Sequence, residues 1–536
     1  MHVGDLVARF LEHVGVQAAF GVVSIHNMRM LDAINRRGKI RFVPARGEAG
    51  AASMADAFAR VSGGLGVVIT STGTAAGNAA GGMVEALTAG TPLLHLTGQI
   101  DSPYIDRNLG FLHEAPYQLD MLTSVSKAAF RISHAAEAAS VLETAAAAAL
   151  SAPTGPVSVE IPIDVQQSEA RESLFSLPGP KAIPVREIDV LAERLLKAKR
   201  PLLWVGGGAR HAAEAVRKLA ELGFGVVTSV QGRGILPEDH PRSLGAFQLS
   251  YEDFFASCDA LLVVGSRLRS NETLGYRLKL PKPLYRIDAE ASRADHPYAA
   301  ALFTTGDARL ALEALAERLS GIRVDPGFSD ELTKERRKAE AKARDALGPY
   351  TALVDELQRL AGRDFTWVRD VTVSNSTWGN RLLRIFGPRD GVHALGGGIG
   401  LGLSMAIGAS LAAPQRKTVC LVGDGGLQLS LGELATLVQE KPDVLIVLMN
   451  DRGYGVIRNI WDAHYGGRRA YSDLHTPDFA RLAASLNLAH KAIRDKADFR
   501  PVLEAAFNER GPILVEVDML AVGPYPTAFA GPPVRK

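Results

Sequence analysis

The sequence predicts an α/β protein made of three doubly wound parallel-sheet units, and three observations predict it. The chain has 536 residues, enough for three or four domains at roughly 150 residues each. Short apolar runs alternate with helix-period segments, the pattern of parallel sheets covered on both faces. Glycine is abundant, at 53 residues, while aromatics make up only 6%, which suits many tight strand-to-helix turns. Lys and Arg total 60 against 58 for Asp and Glu, a net charge of +2. That balance makes no electrostatic case for a nucleic-acid partner. No uncharged apolar run reaches the roughly 18 residues of a membrane span. The two cysteines, Cys258 and Cys420, exclude a disulfide framework. The N-terminus lacks a basic stretch followed by an apolar one, so a cytoplasmic location is expected.

The first unit is expected over 1–168. Asp5 to Val14 reads as a helix, Ala18 to Val23 and Arg41 to Pro44 as strands, and Glu48 to Arg60 as an amphipathic helix. Strands are expected at Val67–Thr70, Pro92–Thr97 and Val157–Ile161, with an Ala-rich helix starting at Asn78. Residues 167–187 form a linker, punctuated by Leu177-Pro178-Gly179-Pro180. The second unit, 186–325, has strands at Pro201–Val205, Gly225–Thr228, Ala260–Val264 and Leu284–Asp288. Residues 325–347 are charged and helix-prone without a clear apolar face, and read as a surface connection. The third unit, 348–520, has strands at Thr418–Val422 and Val444–Met449, and a strand-like Val371-Thr372-Val373. Residues 521–536, rich in Gly and Pro, read as a tail or flap.

The strongest chemical signal lies in the third unit. One strand runs into Gly423-Asp424-Gly425-Gly426, and the next into Asn450-Asp451-Arg452-Gly453-Tyr454-Gly455. Open α/β sheets bind ligands at such carboxyl ends. Two carboxylates plus substrate phosphates is a usual way to hold Mg²⁺. The glycines admit backbone N–H groups to a diphosphate, and the helix after Gly426 offers its positive end.

These segments resemble the thiamine diphosphate binding motif: Gly-Asp-Gly, an intervening helix and strand, then Asn-Asn. The resemblance is to the branch containing acetolactate synthase, benzoylformate decarboxylase, pyruvate oxidase and oxalyl-CoA decarboxylase, and it covers nearly the whole chain. Arg46-Gly47-Glu48-Ala49-Gly50 resembles that family's catalytic glutamate segment. Ser71-Thr72-Gly73-Thr74-Ala75-Ala76-Gly77-Asn78 resembles the loop lining the aminopyrimidine, which implicates Thr74 and Asn78. Gly397-Gly398-Ile399-Gly400 resembles the segment whose apolar residue wedges the cofactor into a V shape. Gly232-Arg233-Gly234 and Pro237-Glu238-Asp239-His240-Pro241 resemble the middle domain of acetolactate synthase.

The resemblance implies a role for each residue. Asp424, Asp451 and the Gly453 carbonyl hold Mg²⁺, with Asp451 standing where the family has Asn. Gly425, Gly426, Tyr454, Asn375 and Ser376 serve the diphosphate end. Gly397 accepts from the 4′-amino group, and Ile399 is the wedge. Glu48 relays a proton to N1′ of the cofactor, which then acts as an electron sink. His26, where relatives carry a Pro-Gly turn, and His113 are candidates for proton transfer to substrate. The implied activity is carbon–carbon bond cleavage or formation on a 2-oxo acid, by a decarboxylase or an acetolactate synthase-like carboligase. Alternatives are a 2-hydroxyacyl-CoA lyase or oxalyl-CoA decarboxylase-like enzyme, and a non-catalytic binding subunit. A homodimer or homotetramer is implied. Gly206-Gly207-Gly208 and Gly265-Ser266-Arg267 suggest nucleotide-handling turns, but no flavin is expected.

Overall fold

Residues 1–177, 179, 182–529 and 531 are described by a computed structural model. Pro178 and Pro180 of the expected linker, and residues 530 and 532–536 of the expected tail, lie outside the described residues.

Three six-stranded sheets organise the chain, all of their strand pairs parallel. The first holds β1 (Ala18–Gly21), β2 (Arg41–Pro44), β3 (Gly66–Thr70), β4 (Leu93–Gln99), β5 (Ala128–Arg131) and β6 (Pro156–Pro162), in the order β2-β1-β3-β4-β6-β5. The second holds β7 (Pro201–Val205), β8 (Gly225–Thr228), β9 (Ser243–Ala246), β10 (Ala260–Val264), β11 (Leu284–Asp288) and β12 (Leu302–Thr305), in the order β12-β11-β10-β7-β8-β9. The third holds β13 (Phe365–Arg369), β14 (Gly391–His393), β15 (Lys417–Gly423), β16 (Val444–Asn450), β17 (Ala489–Ile493) and β18 (Ile513–Asp518), in the order β14-β13-β15-β16-β18-β17. The central strands read as continuous apolar runs, such as Val444–Met449, because helices cover both faces.

The first and third sheets share one strand order, and the two units meet along one seam. Helix Glu48–Ser62 lies against helix Gly402–Ala412. Ala51, Met54, Ala55 and Phe58 join Met405, Ala406, Ile407 and Ala409 in one buried cluster. The approach is close because Gly408 faces the Met54 backbone, where any Cβ would overlap. Burial of each Met or Ile side chain in the seam contributes about 2 kcal/mol.

Four expectations need correction. Val371–Val373 is not a strand; β13 ends at Arg369, and a turn begins where Asp370 accepts the Val371 N–H at 2.7 Å. Asn78 does not start the Ala-rich helix; it ends a short helix, Thr74–Asn78, and Ala80–Ala89 follows. Residues 325–347 are more than a surface connection, since helix Phe328–Asp345 buries Phe328, Leu332 and Ala339 against the second unit. That stripe is only three residues wide, too sparse to stand out among the charges. The described part of the tail packs back on the third unit: the Tyr525 hydroxyl donates to Ser374 Oγ at 2.8 Å and accepts from Trp378 Nε1 at 2.9 Å.

Candidate active site

β15 and β16 are neighbours, so the sheet register sets Gly423 beside Met449 and carries Asp424 and Asp451 to adjacent strand ends. Asp424 is fully buried. Its Oδ1 accepts the Asp451 N–H at 3.2 Å, and its Oδ2 has no partner. Burial first, and the facing Asp451 second, push the Asp424 carboxyl upward. Asp451 is raised by burial and relieved by Arg458, whose Nη2 lies 2.7 Å from Asp451 Oδ2 and also 2.7 Å from the Asp451 carbonyl oxygen. A buried carboxylate oxygen without a donor, beside a second carboxylate, is chemistry that a divalent cation satisfies. Among the described residues no group of three His, Cys, Asp or Glu side chains is placed to hold a metal.

Around the acids the backbone is bare. A Cβ at Gly425 would lie 2.7 Å from the Tyr454 ring, and one at Gly426 would lie 2.9 Å from Asp370 Oδ2. Gly453 is pressed against the Ser472 carbonyl, to which the Tyr454 N–H donates at 2.8 Å. Asn375 is buried in a π-helical turn, its Nδ2 3.5 Å from the His393 ring and its Oδ1 without a partner. Ser376 is half-buried in the same turn, with its carbonyl accepting from Arg381 at 3.1 Å.

Gly397, at φ +83°, and the partly exposed Ile399 sit on a loop gripped from both sides. Before them, the Leu395 and Gly396 N–H groups donate to Glu85, each at 2.7 Å. After them, the Gly400 N–H donates to Asp370 at 3.0 Å. Burial pushes Asp370 up to about 6 against these backbone bonds.

In the first unit, Glu48 opens its helix and accepts from Asn78 Nδ2 at 3.1 Å. Thr74 is exposed at the start of the neighbouring short helix. The turn before it is fixed from below: Gln118 Oε1 accepts from Gly73 N–H at 2.7 Å and from Thr72 Oγ1 at 3.0 Å. His26 and His113 come together, their ring centroids 5.0 Å apart. His26 Nδ1 lies 3.3 Å from Ser71 Oγ, and burial followed by the charge of His113 holds its pKa down. His113 sits at φ +67°, its carbonyl against Gly73, where a side chain would not fit.

The sequence reading missed Glu85, Asp370, Gln118 and Glu433. Glu85 left a signal, being the only charged residue in the apolar helix Ala80–Ala89; a lone acid there must be paired if buried. The other three serve loops distant in sequence and left none.

Comparison with known proteins supplies the family. The N-terminal, central and C-terminal domain profiles of thiamine pyrophosphate enzymes match residues 1–122, 188–315 and 372–517. A probable 2-ketoarginine decarboxylase of Pseudomonas aeruginosa is 32% identical over 528 residues, covering 96% of this chain and 93% of that protein. The chain belongs to the thiamine pyrophosphate enzyme family. Other relatives include the large subunit of acetolactate synthase isozyme 3 of Escherichia coli, 28% identical over 98% of this chain and 96% of its own length. The chloroplastic acetolactate synthase of Arabidopsis thaliana is 27% identical over 96% of this chain and 80% of its own length. As a thiamine pyrophosphate enzyme, the chain carries its acid pair in the segment matched by the C-terminal binding domain, and Glu48 and Asn78 in that matched by the N-terminal one. No described helix is long and apolar enough to cross a membrane.

Proposed function

We propose that this enzyme is a thiamine diphosphate- and Mg²⁺-dependent 2-oxo acid decarboxylase. The observation that carries the reading is the partnerless, buried Asp424 Oδ2 facing Asp451 at two adjacent strand ends. Asp424, Asp451 and the Gly453 carbonyl would hold the cation, and Gly425, Gly426 and Tyr454 the diphosphate. Bound there, the cofactor supplies the electron sink for carbon–carbon cleavage beside a carbonyl. Glu48 holds a proton on a carboxyl oriented by Asn78, at the cofactor's N1′. The His26–His113 pair stands ready to deliver a proton to the product carbon, and this favours a decarboxylase over a carboligase. The P. aeruginosa relative bears the name of a 2-ketoarginine decarboxylase. A panel of 2-oxo acids read by CO₂ and aldehyde release tests this. CO₂ release with stoichiometric aldehyde supports it; condensation products alone assign a carboligase instead.

The site is completed by a second copy of the chain. Next to His26 and His113, Ile25 is 60% exposed, Leu112 73% and Tyr117 67%, and Leu429 beside the acid segment is 61% exposed. Such uncovered apolar side chains around a polar centre mark a buried interface. Inactive Glu48→Gln chains mixed with inactive Asp424→Ala chains are expected to recover about a quarter of wild-type sites after subunit exchange. No recovery after verified exchange excludes a shared site.

A second reading, an acyl-CoA lyase, is favoured by a cavity of about 270 Å³ where the middle unit faces the first. The strand order there reverses between β7 and β10, the place where such sheets take nucleotides. Gly206, Gly208 and Gly265 approach one another there, and Arg267, Arg293 and Asp288 also line the cavity, with Asp288 Oδ2 3.8 Å from Arg293. Calorimetry with ADP, coenzyme A and FAD separates a coenzyme A enzyme from a flavin-binding one.

A further inference from the structure

We infer that Glu433 and Glu85 are a reciprocal pair of positioning residues, each holding from its own unit the catalytic loop of the other. The functional part of this inference rests on the proposed roles of Glu48 and of Gly397–Ile399.

The helix that starts with Glu48 has Gly47 at its N-cap and no side-chain cap of its own. The peptide before it is held from the third unit instead. Glu433, only 4% exposed, accepts the Arg46 N–H with both carboxylate oxygens, at 3.1 and 3.3 Å. Thr436 orients the carboxylate by donating its hydroxyl at 2.7 Å. Gly50 leaves the room for it, since a Cβ there would overlap Glu433 Oε1. Glu85 acts in the opposite direction. It is 2% exposed, paired to Arg60 at 2.9 Å, and accepts the Leu395 and Gly396 N–H groups. Gly396 again leaves the room, a Cβ there lying 2.9 Å from Glu85 Oε2.

The two acids occupy matching places. Each lies on the second helix after the third strand of its sheet, β3 for Glu85 and β15 for Glu433. Each grips the loop after the second strand of the other sheet, β14 or β2. Each follows a proposed cofactor-binding turn of its own unit, Thr74–Asn78 or Asp424–Gln428. Hydrogen bonds from N–H to carboxylate are about twice as strong as neutral ones. Glu48 directly follows Arg46–Gly47, and Gly397 directly follows Gly396. A shift in either gripped peptide therefore moves a catalytic group.

The test reads amide hydrogen exchange on the full chain, with and without thiamine diphosphate and Mg²⁺. Glu433→Ala is expected to speed exchange at residues 45–50 at least about ten-fold, leaving 393–400 unchanged. Glu85→Gln should do the reverse. In the loaded enzyme, Glu433→Ala should slow proton exchange at the cofactor's C2 by about ten- to a hundred-fold with cofactor affinity unchanged. Glu433→Gln should restore most of that rate, its amide oxygen accepting from Arg46 while its NH₂ donates to Thr436. If the alanine variant does not fold, Thr436→Val frees the carboxylate and must speed exchange at the same peptides. Unchanged exchange at 45–50, or an equal rise over the whole chain, overturns the inference. A wild type without C2 exchange defeats the role given to Glu48 instead, because amide exchange without cofactor still reads the grip.

Discussion

The first and third units have the same strand order but differ in what fills it. In the third, β16 and most of β18 are apolar, and buried charges cluster at the carboxyl ends of β13 and β15, in Arg369, Asp370 and Asp424. In the first, β4 and β6 carry His95, Thr97, Gln99, Ser158 and Glu160 inside the sheet, Glu160 paired to Arg131, and β3 ends in neutral hydroxyls, Thr70 to Thr72. One frame thus yields a strand end with two facing acids, and another lined by hydroxyls and amides; on the proposed function the first takes the cation with its diphosphate and the second the ring and its proton. The middle unit has a different strand order, and none of its described residues joins the buried cluster of the seam. Topology in this chain sets where a site lies, and the residues at the strand ends set its chemistry.

The sharpest way to break that comparison is at the acid pair. Asp424→Ala should abolish cofactor retention, a loss of at least about a hundred-fold in affinity, because one carboxylate cannot replace two against Mg²⁺. Equilibrium dialysis with thiamine diphosphate and Mg²⁺ reads it. Full occupancy in the variant would place the cation elsewhere. In the first unit, Glu48→Gln should leave retention intact and slow C2 proton exchange by about 10²–10⁴-fold, since an amide of the same shape cannot relay a proton. NMR exchange measurements decide. A loss of binding instead would give Glu48 a structural role.

How much of this was legible follows from the same contrast. The pattern of β15 and β16 with their terminal acids was plain, because charge after an apolar run is a local signal. Strands Ala128–Arg131, Leu302–Thr305 and Ala489–Ile493 escaped notice as short, half-exposed edge strands, and the buried Phe365–Arg369 and Ile513–Asp518 escaped because polar residues interrupt their apolar runs. Val371–Val373 was misread because β-branched residues favour strands, while Asp370 starts a turn there. Asn375, read as a diphosphate contact from its place after that supposed strand, lies in a π-helical turn with its Nδ2 3.5 Å from the His393 ring and its Oδ1 without a partner. Glu433 and Gln118 were invisible because each acts on a loop that only the tertiary fold brings near.

The polar interior of the first unit should show in the pH dependence of stability. His95 bonds Thr70 at 2.8 Å and Ser158 at 3.1 Å, and burial holds it down to about 4. Its folded pKa lies below the unfolded value, so the unfolded state takes up the proton first as pH falls. Stability is therefore intact above about 6.5 and lost between there and 4, by about 2 kcal/mol from pH 7 to pH 5 for this group. His95→Asn should lose about that much less over the same interval, by urea denaturation. His393, held near 3 by burial and by Arg369, keeps a share of the loss in the third unit. An unaltered pH slope would mean that the sheet interior of the first unit carries no acid sensitivity.

The smallest expected effect concerns the departure at Asp451. Relatives in the thiamine diphosphate motif carry an amide there, and an extra acid beside Asp424 would ordinarily cost repulsion. Arg458 removes that cost: its guanidinium holds both the Asp451 carboxylate and its carbonyl, so the pair is neutral overall, as an amide is. Asp451→Asn keeps an oxygen ligand but leaves the Arg458 charge unpaired beside the cation, so it should weaken Mg²⁺ binding by about two- to five-fold. The compensation is read by coupling. Arg458→Ala alone leaves two facing acids uncompensated and should lower stability in the absence of Mg²⁺, and the same change in the Asp451→Asn background should cost less. A coupling of about 1–3 kcal/mol between the two is expected for a contacting charged pair. Additive effects would mean that Arg458 serves only to hold the loop, and that the second acid is tolerated for its bound cation alone.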